Sequence, residues 1–250
     1  MDKDIGLDLT SYLIGTKNSG GGSGGGYDWS NIGYSYDPLT LQEAYSYSKN
    51  LYDNWQPTTT LAEKFKGDID LIYFPQVQLM PADASNVSLM WTFQACTGLL
   101  EIPALDLKGA GSCYGMFQSC TNLRFVPAMD VSTVTNGYQM FQTCYSLKSV
   151  ASLNFANVTS LNSAFYGCTA LEDVGVITMP KATNINHMFE QCSSLTNDSL
   201  NNIMASLMTC NVSASNKTLR YAGITSAQAT ICQTLSNWDA FVEAGWSTGY

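Results

Sequence analysis

The sequence predicts a repeat solenoid with a short parallel sheet, and three observations carry that expectation. Phenylalanine recurs every 24 residues, at Phe93, Phe117, Phe141, Phe165 and Phe189. Cysteine follows each by three residues (Cys96, Cys120, Cys144, Cys168, Cys192), and leucine comes three later still (Leu99, Leu123, Leu147, Leu171, Leu195). Between these columns run segments that alternate apolar and polar residues, the period of a strand. Columns that hold one period through five turns mark stacked coils, each contacting only its neighbours.

The bulk composition narrows the class of partner. Of 250 residues 45% are hydrophobic and only 12% charged, about half the share of an average soluble domain. The surface must therefore be rich in Ser, Thr, Asn, Gln and Tyr, which bind by hydrogen bonds and ring faces. A net charge of −9 with 11 Lys and Arg leaves no basic footprint for a phosphate backbone, so nucleic acid is not expected as a partner. No apolar run is long enough to cross a bilayer, and no membrane insertion is expected. The start, Met1 to Gly6, lacks the apolar stretch of a secretory signal, so synthesis and folding in a reducing cytosol are expected unless a leader has been removed.

Taken in order, residues 1–16 form a short unit. Ile5, Leu7 and Leu9 alternate as in a strand, and Tyr12, Leu13 and Ile14 continue the apolar character. The unit is too short to bury its own core, which suits an anchor peptide that adds to a partner's sheet or groove. A frayed terminus is the plainer reading. Residues 17–26, with Gly20 to Gly26 interrupted only by Ser23, read as a flexible linker.

Residues 27–68 are expected as a helical N-terminal cap. Thr40 and Glu43 make a capping box, and Leu41, Ala44, Ser48, Leu51 and Trp55 fall at helical spacing. Pro57 ends that helix, and a shorter one is expected from Thr60 to Lys66. Residues 69–195 are the coils. Leu71 to Val77 aligns with Leu123 to Met129, with four extra residues near Met80 to Ala84. One short strand per coil, about 4.8 Å from the next, predicts a parallel sheet roughly 25 to 30 Å long. Residues 196–250 are expected as an α/β C-terminal cap. It comprises a helix after Thr196, a strand from Thr218 to Gly223, a helix from Ser226 to Leu235, and a further turn at Trp238.

The residues that could carry chemistry are weighed next. The five phenylalanines and five column cysteines read as structural core, since a free cysteine is a small hydrophobe that favours burial. Five is odd, and equivalent positions of stacked coils rarely offer disulfide torsions. Whether Cys113, Cys210 or Cys232 pair is left open. With no Cys-x-x-Cys and one histidine, no metal or cofactor is expected. His187 shares its column with Gly115, Gln139 and Ser163, a solvated position. Asp106 and Asp130, continued by Asn154 and Thr178, read as hydrogen-bonded turns in preference to a calcium or acid–base site. No enzyme is expected. Tyr114 and Tyr138 share a column that Asn162 and Asn186 continue, and Tyr145 and Tyr166 sit beside the cysteines. Rings and amides on a rigid scaffold suit protein or glycan binding. Packing between coils is the alternative.

The run Asp130-Val131-Ser132-Thr133-Val134-Thr135-Asn136 with Met140-Phe141-Gln142-Thr143-Cys144-Tyr145-Ser146-Leu147 resembles the BspA-type leucine-rich repeat. It is also similar to the surface-protein repeat of mycoplasmas, across roughly residues 69–195. The resemblance implies a leucine-rich-repeat solenoid used for adhesion and protein binding, without catalysis. Ala164 in place of the methionine, and Ala151 and Gly175 in place of the proline, make the later coils looser copies.

Asp8 to Gly15 before a glycine run, the Tyr34 to Trp55 segment and the Ala244-Gly245-Trp246 ending are similar to proteins from structural modules of gut-bacterial phages. That resemblance implies a virion adhesin or decoration protein of tail-fibre or head-fibre type. It would be made in the host cytoplasm, anchored to other virion proteins through its N-terminal peptide, and bound to a bacterial surface protein or glycan. The alternative is a bacterial cell-surface adhesin, BspA-like, that binds host or matrix protein. A homo-oligomer is compatible with both.

Overall fold

The computed structural model describes residues 46–47 and 50–250. The segment 1–16, its residues Ile5, Leu7, Leu9, Tyr12, Leu13 and Ile14, the glycine linker and the Thr40–Glu43 capping box lie outside them. Successive coils stack in parallel, with partners one period apart. Phe125 pairs with Ser149 and Ser149 with Asp173, Leu153 pairs with Ile177, and Asn136 bridges Ser160. This is a repeat fold of short parallel strands.

What stacks the coils is a backbone device at each phenylalanine. The residue two before it is left-handed in every coil, with φ of 55° to 57° at Trp91, Gly115, Gln139, Ser163 and His187. The residue two after it is left-handed too, from 57° at Thr143 to 76° at Gly167. With a left-handed residue at each end of this five-residue turn, every second N–H points along the stack. Trp91, Phe93 and Ala95 thus donate to the carbonyls of Tyr114, Met116 and Gln118, at 2.8–2.9 Å. The same three bonds recur at the next coils, so each buried turn is satisfied by the one that follows.

The core is a pillar of phenylalanine. Phe93, Phe117, Phe141, Phe165 and Phe189 lie 5.1–5.4 Å apart, tilted by no more than 7°. Beside them each column thiol donates to the phenylalanine carbonyl of the preceding coil, from Cys96 to Phe65 at 2.9 Å to Cys192 to Phe165 at 3.2 Å. Alanine would fill part of that space but could not donate. All eight cysteines are free, and Cys210 alone is half-buried. The leucine column is buried from Leu99 to Leu171 and half-buried at Leu195.

The strands are shorter than a continuous ladder. They form three separate sheets: β1 (Val87–Ser88) with β2 (Ala110–Ser112), β3 (Phe125–Val126) with β4 (Ser149–Val150) and β6 (Asp173–Val174), and β5 (Leu153–Asn154) with β7 (Ile177–Thr178). The parallel pairing expected does run from coil to coil, through single bridges at Tyr73–Glu101–Phe125 and Ser112–Asn136–Ser160–Asn184, but with only one to three residues per coil. Pro75, Pro103 and Pro127 occupy the position after the first strand, and proline has no N–H to donate. Where Ala151 and Gly175 replace it, their N–H groups bond Val126 and Val150, and the second pair, β5 and β7, forms just there. The coils read as looser copies are the ones with more strand.

Two further expectations are corrected. The segment 60–66 forms no helix, and 62–67 are turn. Glu63, Phe65 and Gly67 donate to Met90, Thr92 and Gln94 as later coils do, and Phe65 lies on Phe93 at 5.2 Å and 7°. The stack therefore begins at Leu61, upstream of Ile69, and Trp55 covers the Phe65 ring at 5.8 Å. Residues 219–223 are turn, not strand; only Thr218 bridges Ser247. Tyr221 and Ala222 instead accept from His187 and Phe189, taking the place of a next coil.

The sheets end on a helix. In α1 (Asn197–Thr209), Thr196 caps the N-terminus through Ser199. The hydroxyls of Ser199, Ser206 and Thr209 then accept from the N–H groups of Val174, Ile177 and Met179 at 2.8–3.0 Å. Helices α2 (Ser226–Cys232), with a capping box between Thr225 and Gln228, and α3 (Trp238–Glu243) follow. Helices form at 197–209 and 226–232 where helices were expected, the second ending before Leu235, and the turn expected at Trp238 is a helix over 238–243. No described helix is long and apolar enough to cross a membrane.

Candidate binding site

The tyrosine column is set in place by a second repeating device. Five residues before each phenylalanine stands Ser88, Ser112, Asn136, Ser160 or Asn184. Each side-chain oxygen accepts from the backbone N–H two residues on, at Met90, Tyr114, Tyr138, Asn162 and Asn186. Short polar side chains form such local turns readily. The same turn thus precedes five successive residues of the column.

On that scaffold Tyr114 and Tyr138 come together, with ring centroids 5.0 Å apart and a tilt of 52°. Sequence reasoning missed the third ring. Trp91 lies 5.3 Å from Tyr114, tilted by 50°, although it belongs to the neighbouring column. It reaches across because residue 115 is glycine. A Cβ there would come within 2.6 Å of the indole. Lys66 sits over Trp91, 4.6 Å from the ring, a cation–π contact. The indole N–H of Trp91 is buried without a hydrogen-bond partner among the described residues.

Further along, Asn162 donates to Asn184 at 3.4 Å, and the Tyr221 hydroxyl donates to the same oxygen at 3.3 Å. Asn186 continues the column, half-buried. Beside the rings runs an amide ladder, Gln94 to Gln118 to Gln142, each amide donating to the next. Tyr166 continues that ladder's column, and its hydroxyl accepts from Gln191 at 2.9 Å. Tyr145 stands apart, 51% exposed. Four of the six residues singled out by sequence thus lie in one column, Tyr166 lies beside it, and Tyr145 does not join them.

The other candidates resolve into structural roles. Asp130 accepts from the Ser132 N–H and hydroxyl, which holds its carboxyl below the ordinary value. Asp106 accepts from the Lys108 N–H, so both are turn residues. His187 is exposed and pairs with Glu190. Burial pushes the thiols of Cys96 and Cys168 up to about 12, keeping them protonated and unreactive. Burial also raises Glu101 to about 7, against the pull of Arg124. No group of side chains suited to a metal ion exists among the described residues. A cleft of about 320 Å³ is lined by Tyr47, Leu51, Trp55, Lys64, Phe65 and Asp68, and the Tyr47 hydroxyl donates to Asp68 within it.

Coils of one period, stacked in parallel around a ring pillar and carrying a polar ring-and-amide face, define a repeat protein. The chain matches the family described as Mycoplasma protein of unknown function, DUF285, over residues 87–203 and 111–238. Together these matches span more than half of the chain, and the chain belongs to that family. Among solved structures it is similar to the crystal structure of a T. pallidum leucine-rich-repeat protein. The identity is 17% and the TM-score 0.36, over 60% of this chain and 77% of that one. No curated protein matches it.

Proposed function

We propose that the chain is a non-enzymatic surface-binding protein: a leucine-rich-repeat solenoid with a cap at each end that holds a receptor against its ring-and-amide face. The observation that carries this reading is the Trp91–Tyr114–Tyr138 row, continued by Asn162 and Asn186 on one rigid column. These residues are half-buried, whereas the phenylalanines of the pillar are fully buried. Family membership supports a surface-binding repeat protein. In the finer reading it is a phage virion adhesin or decoration protein. That reading is supported by the sequence alone, through the apolar 1–16 segment ahead of a glycine linker.

The test is direct. Purified particles should contain the protein, and deletion of residues 1–16 should release it while leaving receptor binding intact. Normal packaging of the truncated chain would sink the anchor. A bacterial cell-surface adhesin is the second reading, favoured by the likeness to the BspA repeat. Portal and tail genes beside the coding sequence would support the first reading, and a sortase or secretion signal the second.

A further inference from the structure

Two ring columns share one period and pack differently. The phenylalanines lie within 7° of parallel and close each other's faces. Trp91, Tyr114 and Tyr138 are half-buried and tilted by 50° and 52°. Tyr114 lies between Trp91 and Tyr138, and each of the three residues keeps part of its surface accessible to solvent. Beside them Gln118 donates one N–H to Gln142 and accepts one from Gln94. An amide has two N–H donors and two lone pairs, so one of each is left for a ligand. Asn162 and Asn186 extend the same chemistry along the stack.

Charge marks where this strip stops. Lys66 closes it on the Trp91 ring, and the His187–Glu190 pair lies at its far end. Its own side chains between those ends are uncharged. A ligand must therefore be neutral along its length, bring C–H faces to the rings, and offer groups that both donate and accept. Ring spacing bears on what it is. The rungs lie 5.0–5.3 Å apart, whereas an extended polypeptide repeats its same-face side chains about 6.7 Å apart. The peptide slips out of register within a few rungs. A pyranose unit is comparable to one rung, has apolar C–H faces, and carries hydroxyls that donate and accept.

We infer that the strip Trp91, Tyr114, Tyr138, Asn162 and Asn186, with Gln118, binds a neutral polysaccharide lying along the stack. This rests on the surface-binding reading and names its ligand class.

The test uses the whole chain in affinity gels cast with neutral polysaccharides (mannan, galactan, β-glucan) or with acidic polygalacturonate. It also uses pull-downs on gut-bacterial envelopes treated with periodate or protease. At least one neutral polysaccharide should retard the protein, and the acidic one should not. Envelope binding should vanish after periodate and survive protease. Tyr138→Ala and Gln118→Ala should each weaken binding about tenfold, while Val242→Ser on α3 leaves it unchanged. Should Tyr138→Ala fail to fold, Asn186→Asp removes no packing and puts a charge on the strip, with the same expected loss. Retardation by none of the neutral glycans, or binding that protease abolishes and periodate spares, overturns the polysaccharide and leaves the surface-binding reading standing. Envelope binding that persists in the strip variants overturns the site. Absence of envelope binding altogether overturns both readings.

Discussion

The phenylalanine pillar and the tyrosine–asparagine strip run side by side through the same coils, yet they answer to different requirements. In the pillar every ring is identical and closed on both faces, and the backbone around it is satisfied by the next coil. In the strip the residue changes from coil to coil while the turn that aims it stays the same. One column fixes the distance between coils. The other spends the freedom that this leaves. Periodicity alone therefore does not separate scaffold from surface; the burial of the repeating group does.

The contrast can be broken most severely at its centre. Phe141→Ala should cost about 3–5 kcal/mol, because the rings above and below cannot close the gap, and thermal melting would show it. Glu101→Gln should change the pH profile. Its raised pKa means that the folded protein holds a proton the unfolded chain has released. Stability is then full below 4.5 and falls as pH rises towards about 7. The variant should flatten that fall and gain about 1–2 kcal/mol at pH 8, partial exposure screening the rest.

Gly115→Ala should cost about 1–2 kcal/mol through its left-handed backbone and the displaced indole, read out as a shift in tryptophan emission. Tyr138→Ala, at a tilted half-open pair, should cost only about 1 kcal/mol. A loss there equal to that of Phe141→Ala would erase the distinction between the columns. The gentlest test is chemical. A thiol reagent on native protein at pH 8 should modify Cys210 first and the seven buried cysteines only after unfolding.

Much of the architecture was legible because one period carried Phe, Cys and Leu in step. The coil at Leu61 was not. Its phenylalanine stands 28 residues before Phe93, Asp68 replaces the cysteine, and Leu-Ala-Glu-Lys-Phe-Lys has the composition of a helix. Tertiary stacking overrode that propensity. Residues 218–223 failed as a strand because the last coil needed carbonyls in a turn, with Gly223 at φ 88°. On the strip, the column of Tyr114, Tyr138, Asn162 and Asn186 could be read directly. Trp91 could not, since it joins from the next column across a glycine. The Ser88, Ser112, Asn136, Ser160 and Asn184 column kept the same 24-residue period and was the available signal for how the rings are aimed.

Helix α1 meets β6 and β7 with hydroxyl groups, where another coil would offer carbonyls. It therefore accepts the last N–H groups without presenting a further edge to pair with. The helix ends the ladder wherever it is placed. Nothing in that contact records how many coils came before it, so the reach of the molecule is adjustable in steps of one coil. Duplicating residues 145–168 should lengthen the stack by a single rung and leave both ends as they are.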